Sequence, residues 1–579
     1  MSNRILILLT ATLFSMIALS DTNLTVLKNS VSPKLAVATL LNHADPNQKL
    51  NLLVWLKGRN PDGLQQFLTA LYTPGNPQYH RFLTPEQFQA DYAPDPDNIS
   101  VVTGYLTEQG INVVKVPSNG AFIQISTTVA QAEAAFNVHI NKYSLNGKQY
   151  YSNDQVVTLN SDLASMISAI SGLDNFLQLQ SPHAKMESSK LGTAQAQYGS
   201  YTPQQIQAAY GVDQLLKNNV NGSNQVVAVI DSLDSPGVES DLNTFSTQFH
   251  LPLCTRSNGC FAKFNQYGES FPLPEPAPFG DSSEAPVDIE VVHSLAPGAK
   301  LSIYEDNGDD WGTNLNLNNF AIALNTIVSG NLANIISNSL ATGEDVVNGP
   351  LEIIFQQGAA QGISINFSSA DFADNTNNSY GTNSPLPSVV YPASSPWVTA
   401  VGGTTLLLTS YNSYKSETGW ADPTQSDLGS TGGLSQYYTA QPWQTEAINS
   451  IYAGGYGLVG THRAVPDISM MATPGFIGYS RTYGNGLYAT SLSCPLFSAI
   501  IALANQARVS QGLSTVGLVT SLLYNMPYSV HQGIAPITSI VAPATTPTSV
   551  LTGGSHWNDI TGLGSPYAPL FVKYLVDDH

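Results

Sequence analysis

Positive charge is scarce in this chain. Only 21 Lys and Arg stand against 41 Asp and Glu, so the 579 residues carry a formal net charge of −20 at pH 7. Nucleic acid is excluded as a partner, because phosphates are bound by clustered cations. Charged residues of both signs make up 11% of the chain, well under the roughly 25% of ordinary soluble domains. Gly, Ser, Thr, Asn and Tyr carry much of the polarity instead. Protonation removes the self-repulsion of a carboxylate-rich surface, so the composition is compatible with acid surroundings. Cysteine is also scarce. The chain has three, none spaced as Cys-x-x-Cys, which excludes a zinc-ribbon type of site. Cys254 and Cys260 bracket a short polar loop and can close a small disulfide in an oxidising compartment. Cys494 is left over in a Ser-Cys-Pro run and reads as a small packing residue. Beyond the N-terminus no stretch reads as long and apolar enough to span a bilayer, so no membrane partner is expected. No internal repeat and no low-complexity tract is present.

The N-terminus reads as an export signal. Arg4 precedes an apolar run from Ile5 to about Leu19, and Ala18-Leu19-Ser20 offers small residues before Asp21. This pattern predicts a signal peptide over 1–20 and a secreted, extracellular protein, a retained anchor being the alternative. Residues 21–180 read as one α/β unit, with a strand over Leu50–Leu56 and a helix over Asp62–Tyr72 bearing Leu64, Phe67, Leu68 and Leu71 on one face. From 181 to 200 the periodicity dissolves into Ser, Gln, Ala and Lys, an exposed linker suited to proteolytic nicking. From 201 to 579 strand-like runs (Gln225–Ile230, Ala299–Tyr304, Ile335–Ile336, Ile363–Phe367, Trp397–Val401) alternate with helical ones (Val287–Leu295, Trp311–Val328, Pro350–Gly358, Pro495–Arg508). The alternation predicts a mostly parallel sheet with helices on both faces, and catalytic residues at the carboxyl ends of its strands.

Three segments could carry chemistry. Glu284-Ala-Pro-Val-Asp288 looks like a helix start, and residues four apart share a helical face, so both carboxylates project together. Two acids held close titrate as a pair that shares a proton; a solvated acidic helix start is the plainer reading. Ala489-Thr490-Ser491 precedes the apolar run after Pro495. A serine there can expose its hydroxyl at a positive helix end or simply cap it. Phe367-Ser368-Ser369-Ala370-Asp371 puts an acid just past a strand's carboxyl end, a good place for a site and also a frequent loop.

Together and in this order, these segments resemble the sedolisin (serine-carboxyl, kumamolisin-like) peptidases. Glu284-x-x-x-Asp288-Ile-Glu with Leu295-Ala-Pro-Gly-Ala-Lys300, Tyr391-Pro-Ala-Ser-Ser-Pro-Trp397, Val465-Pro-Asp-Ile-Ser469 and Thr561-Gly-Leu-Gly-Ser-Pro566 are similar to family motifs. Asn76-Pro-Gln-Tyr-His-Arg-Phe-Leu-Thr-Pro85 and Gly172-Leu-Asp-Asn175 resemble the family's propeptide. The resemblance spans nearly the whole chain after residue 20. It implies a ferredoxin-like α/β propeptide over 21–180, a processing site within 181–200 and a subtilisin-like catalytic domain over 201–579. It also implies a self-processing zymogen, working as a monomer on protein or peptide substrates, whose other partner is its own propeptide. By the resemblance Ser491 is the nucleophile, Glu284 takes its proton, Asp288 orients Glu284, and Asp371 donates to the oxyanion.

The chemistry suits acid. At about pH 4 a His base would be protonated in roughly 300-fold excess, whereas a Glu near its ordinary value still supplies base.

The chain departs from the family in places. Ala489 and Ala370 stand where the family has Gly, tolerable substitutions unless those turns need a positive φ. Leu340, in Ser337-Asn-Ser-Leu340-Ala341, replaces an aromatic that would line a pocket. The calcium region is degenerate: Pro536-Ile537 replaces Asp-Ile, and Gly554-Ser-His-Trp-Asn558 ends in Asn rather than Asp. With those carboxylates gone, Ca²⁺ binding is expected to be weak or lost, and no cofactor is required. Two rivals remain. A subtilisin-type Ser-His-Asp protease would use Asp231, but His293 is its poor His candidate. A secreted, catalytically impaired protein of the same fold is the other, against which all four site positions are retained.

Overall fold

The apolar run from Gln225 to Ile230 forms the strand Val226–Ser232. Val227 and Val229 are buried in one layer of the core, Ala228 and Ile230 in the other. A strand covered on both faces needs apolar residues at every position, so the run is continuous rather than alternating. The computed structural model describes residues 23–176, 178–179, 200–276, 284–308, 315–344, 350–373, 375, 388–421, 428–449, 461–479, 488–526, 534–535 and 557–577. The strands Phe261–Asn265, Lys300–Asp306, Val226–Ser232, Ile335–Asn338, Ser364–Ser368 and Thr399–Leu408 lie side by side in that order, all parallel. Tyr414–Gly419, antiparallel, and Ile468–Thr473, parallel, both pair with Thr399–Leu408 and complete an eight-stranded sheet.

The helices Glu284–Leu295 and Thr490–Ser510 cover the Val227 face. Leu317–Ser329 and Glu352–Gln361 cover the other. The helix read from Trp311 begins instead at Leu317, where the Asn316 side chain accepts from the Asn318 N–H and caps it. The Thr490–Ser510 helix also corrects the expectation about membrane spans. Its 21 residues are long and apolar enough to cross a bilayer, but its most apolar window is 83% buried inside the fold. It is the central helix of the core.

The N-terminal unit is built on four antiparallel strands in the order Asn112–Lys115, Phe122–Thr128, Lys49–Leu56, Ile167–Ser171. In chain order this is second, third, first, fourth, the ferredoxin-like arrangement. Helices Pro96–Glu108, Val129–Phe136 and Ser161–Met166 close its own core. Helix Pro61–Leu71 instead turns Leu64, Leu68 and Leu71 into a core shared with Phe320, Leu324 and Phe355 of the larger unit. Buried neutral polar groups stitch this seam. Asn119 Nδ2 donates to Asn325 Oδ1 and to Gln357 Oε1, each at 2.7 Å, and the Tyr72 hydroxyl donates to the Ala359 carbonyl at 2.7 Å. Cys254 and Cys260 form a disulfide with Cα atoms 4.9 Å apart, and Cys494 is a buried free thiol. The expected signal peptide and residues 181–199 of the expected linker lie outside the described residues.

Candidate active site

The helix Glu284–Leu295 begins on the first of the two acids. Glu284 is 8% exposed and Asp288, one turn on, is 1% exposed. A solvated acidic helix start does not bury both carboxyls. Burial, and then the neighbouring charge of Glu284, push the Asp288 carboxyl well above the usual carboxylate range, with Asp231 adding to the shift. A hydrogen bond opposes them. Ser339 Oγ donates to Asp288, 3.0 Å from Oδ2 and 3.3 Å from Oδ1.

The nucleophile candidate sits in the first turn of Thr490–Ser510. The apolar run had placed the helix start at Pro495; the structure starts it at Thr490, with Pro495 inside. A proline has no N–H, so the bond that residue 495 would return to the Ser491 carbonyl cannot form. Ser339 Oγ reaches that carbonyl at 3.4 Å. Ser491 is 1% exposed, and its Oγ has no hydrogen-bond partner among the described residues.

Asp371 follows the strand Ser364–Ser368 and is buried. Its Oδ1 accepts from the Thr490 N–H at 2.9 Å and from Thr490 Oγ1 at 2.6 Å. Asp371 is thus tied to the helix turn that carries Ser491. With Oδ1 occupied by two donors, a proton on this carboxyl belongs on Oδ2. The turns beside both residues are strained. Ala489, the cap residue before Thr490, has φ 150° and ψ 179°, and Ala370 has φ 74°. These are backbone regions that favour glycine, so the tolerance expected of the two alanines comes with a conformational cost.

The structure therefore brings Glu284, Asp288 and the Ser491 turn together through Ser339, and Asp371 to the same turn through Thr490. It does not bring His293 into this group. That imidazole is buried, and its Nε2 donates to the Pro252 carbonyl at 2.7 Å. Leu340 is buried in the core where the aromatic was expected. Ser339 was missed, although it lies in the very stretch inspected for that aromatic. A hydroxyl two residues from Ser337 gives no signal of its own until the sheet places it over Asp288. Asp467, in the Val465–Ser469 motif, forms a buried ion pair with Arg463, both contacts at 2.6 Å. It also accepts from the Ala400 N–H at 2.8 Å and the Tyr524 hydroxyl at 2.9 Å. These contacts brace the sheet.

Of the calcium region, Asn558 is a poor donor. Asn558 Oδ1 accepts from the N–H groups of Ile560 at 3.0 Å and Thr561 at 2.8 Å, and from Thr561 Oγ1 at 3.1 Å. Its side chain is neutral and occupied by its own turn, so it does not fit a calcium ligand. Pro536, Ile537 and Gly554 lie outside the described residues.

Comparison with known proteins finds relatives for both units of the chain. Residues 37–176 match the family model of the pro-kumamolisin activation domain. Sedolisin of Pseudomonas sp. (strain 101) is 29% identical over 83% of this chain and 80% of its own length. Xanthomonalisin of Xanthomonas sp. (strain T-22) is 28% identical over 82% of this chain, and this chain spans 60% of that protein's length. The solved structure of Pseudomonas sedolisin, a serine-carboxyl proteinase complexed with pseudo-iodotyrostatin, superposes with a TM-score of 0.53 at 24% identity. The match covers 65% of this chain and 98% of that one.

Proposed function

Because this chain belongs to the sedolisin family of serine-type peptidases and carries a pro-kumamolisin-type activation domain, we propose that it is a secreted endopeptidase that works in acid and processes itself from a zymogen. The observation that carries the reading is the buried Glu284–Asp288 pair, joined through Ser339 to the helix turn of Ser491.

In this reading Ser491 Oγ attacks the peptide carbonyl as Glu284 takes its proton. Asp288 shares a proton with Glu284 and orients it. Asp371, protonated on Oδ2, donates to the developing oxyanion, a contribution of roughly 2.7–4 kcal/mol per donor in other hydrolases. Glu284 then returns its proton to the leaving amine, and water hydrolyses the acyl-enzyme by the reverse proton route. The proton on Asp371 is lost as pH rises, so activity falls toward neutrality. These steps require no cofactor. The substrates are proteins or peptides, and the activation domain, seated on Leu317–Ser329 and Glu352–Gln361, is the chain's own partner.

Incubation of the full chain at about pH 3–5, the range in which a Glu base is still partly ionised, tests this. The parent converts to a species beginning near residues 180–200, and Ser491→Ala stays full-length. Conversion of Ser491→Ala at the parent's rate, or a rate maximum above neutrality, would refute the reading.

A further inference from the structure

Ser339 occupies a junction that the proposed chemistry does not yet use. It follows the strand Ile335–Asn338 and is 2% exposed. Its hydroxyl faces two acceptors, the Asp288 carboxyl at 3.0 Å and the Ser491 carbonyl at 3.4 Å. The second acceptor is available because Pro495 cannot bond it. A serine hydroxyl has one proton to donate and lone pairs to accept with. When Asp288 is ionised, that proton serves the carboxylate. When Asp288 is protonated, its own O–H donates to Ser339 Oγ, and the Ser339 proton turns to the Ser491 carbonyl. With Asp288 protonated both acceptors are served, and with Asp288 ionised the one proton goes to the carboxylate, the costlier of the two to leave bare when buried.

We propose that Ser339 is a positioning residue whose hydroxyl reverses direction with the protonation of Asp288, setting how the Glu284–Asp288 pair shares its proton and holding that pair in register with the nucleophile. The inference rests on the peptidase reading above.

The surroundings of Asp288 support it. The titratable groups that act on it are Glu284 from its own helix and Asp231 from the end of Val226–Ser232, both acidic. Cys494, from the nucleophile helix, senses Asp288 in turn, and burial pushes that thiol up to about 12, so it is neutral. Among the described residues no cation acts on Asp288. The Ser339 hydroxyl is the interaction that offsets burial and repulsion there and keeps the ionised form accessible.

The test is the pH profile of kcat/KM on acid-denatured haemoglobin for enzyme matured from the full chain. Ser339→Ala removes the donor to ionised Asp288. The pair then holds its second proton to higher pH, and the acid limb of the profile moves up by about one unit. At pH values on that limb this is roughly a tenfold loss of kcat/KM, fading toward the optimum. Ser339→Thr keeps the hydroxyl and restores the limb. A merely structural serine would lower activity by the same factor at every pH, and that result overturns the proposal, as does an Ser339→Ala profile that superposes on the parent's. If Ser339→Ala fails to mature, the same limb is read from the pH dependence of self-conversion in Ser339→Thr and Ser339→Cys; a Cys profile identical to Thr overturns it. Failure of the underlying reading looks different: the parent itself has no acid limb, or Ser491→Ala retains activity.

Discussion

His80 ties the activation domain to the nucleophile helix through a contact that acid should break. It lies in the Asn76–Pro85 stretch, is 9% exposed, and stacks on Tyr79 with ring centroids 4.1 Å apart. Its Nδ1 accepts from Arg508 Nη2 at 3.1 Å, near the end of Thr490–Ser510. Arg508 also donates from Nε to the Ser514 carbonyl at 2.7 Å, and Ser514 Oγ donates to the His80 carbonyl at 3.2 Å. Burial, then the Arg508 charge, push the imidazole down to about 3. A released activation domain returns it to the ordinary value near 6.5.

The docked state therefore binds the proton less tightly than the released state. Docking is at full strength above about pH 6.5 and weakens as pH falls toward about 3. At about pH 4 the difference is roughly 300-fold in the docking constant, or about 3 kcal/mol. The seam's other described contacts are largely amides, hydroxyls and apolar groups, which do not titrate in this range. The assay uses the full Ser491→Ala chain, which on the proposed reading stays full-length. Hydrogen exchange is followed at the Leu518 amide, which donates to the Tyr72 hydroxyl across the seam at 2.9 Å. Comparing His80→Gln with His80 at each pH cancels the intrinsic exchange rate. Between about pH 7 and 4 protection in the His80 chain should fall by up to about 300-fold more than in the Gln variant. Parallel pH dependence in the two chains would refute the reasoning.

Three further expectations follow from particular residues. Glu344 and Glu352 are buried and pushed to about 7, and Glu305 to about 8, burial being the largest cause in each. Folded-state values raised this far contribute stability that is present below the ordinary Glu value and lost as pH rises through 7. The melting temperature of the full Ser491→Ala chain should thus be lower by more than about 5 °C at pH 7 than at pH 4.5, and a higher value at neutrality counts against it. Ala370→Gly relieves a positive φ and should raise stability by about 1 kcal/mol in chemical denaturation, less the small loss of a buried methyl. Because Asn558 is committed to its own turn, an excess of chelator should leave the melting temperature unchanged, and a drop of several degrees would reinstate a calcium site.

Much of the candidate site's arrangement was legible because it is local. The Glu284-x-x-x-Asp288 spacing needs only helical periodicity to put two acids on one face, and the continuous Gln225–Ile230 run needs only its apolarity to mark a buried parallel strand. Phe261–Asn265, Tyr414–Gly419 and Ile468–Thr473 went unread as strands. In Tyr-Lys-Ser-Glu-Thr-Gly, for instance, polar residues sit where an edge strand tolerates them, so no hydrophobic pattern betrays pairing. Pro495 misled for a related reason: proline usually marks a helix start, but here a buried helix carries it in its sixth position.

The sequence by itself determined which acids and which serine could act, their order along the chain, and the division into an activation unit and a larger α/β unit. Tertiary structure alone decided that both carboxyls are buried, that Ser339 joins Asp288 to Ser491 across more than 150 residues of chain, and that two alanines sit in glycine-like turns. It alone brought His80 against Arg508, 428 residues away. Proton affinity depends on what surrounds a group in space, and local sequence does not specify which distant strands and helices will supply those surroundings.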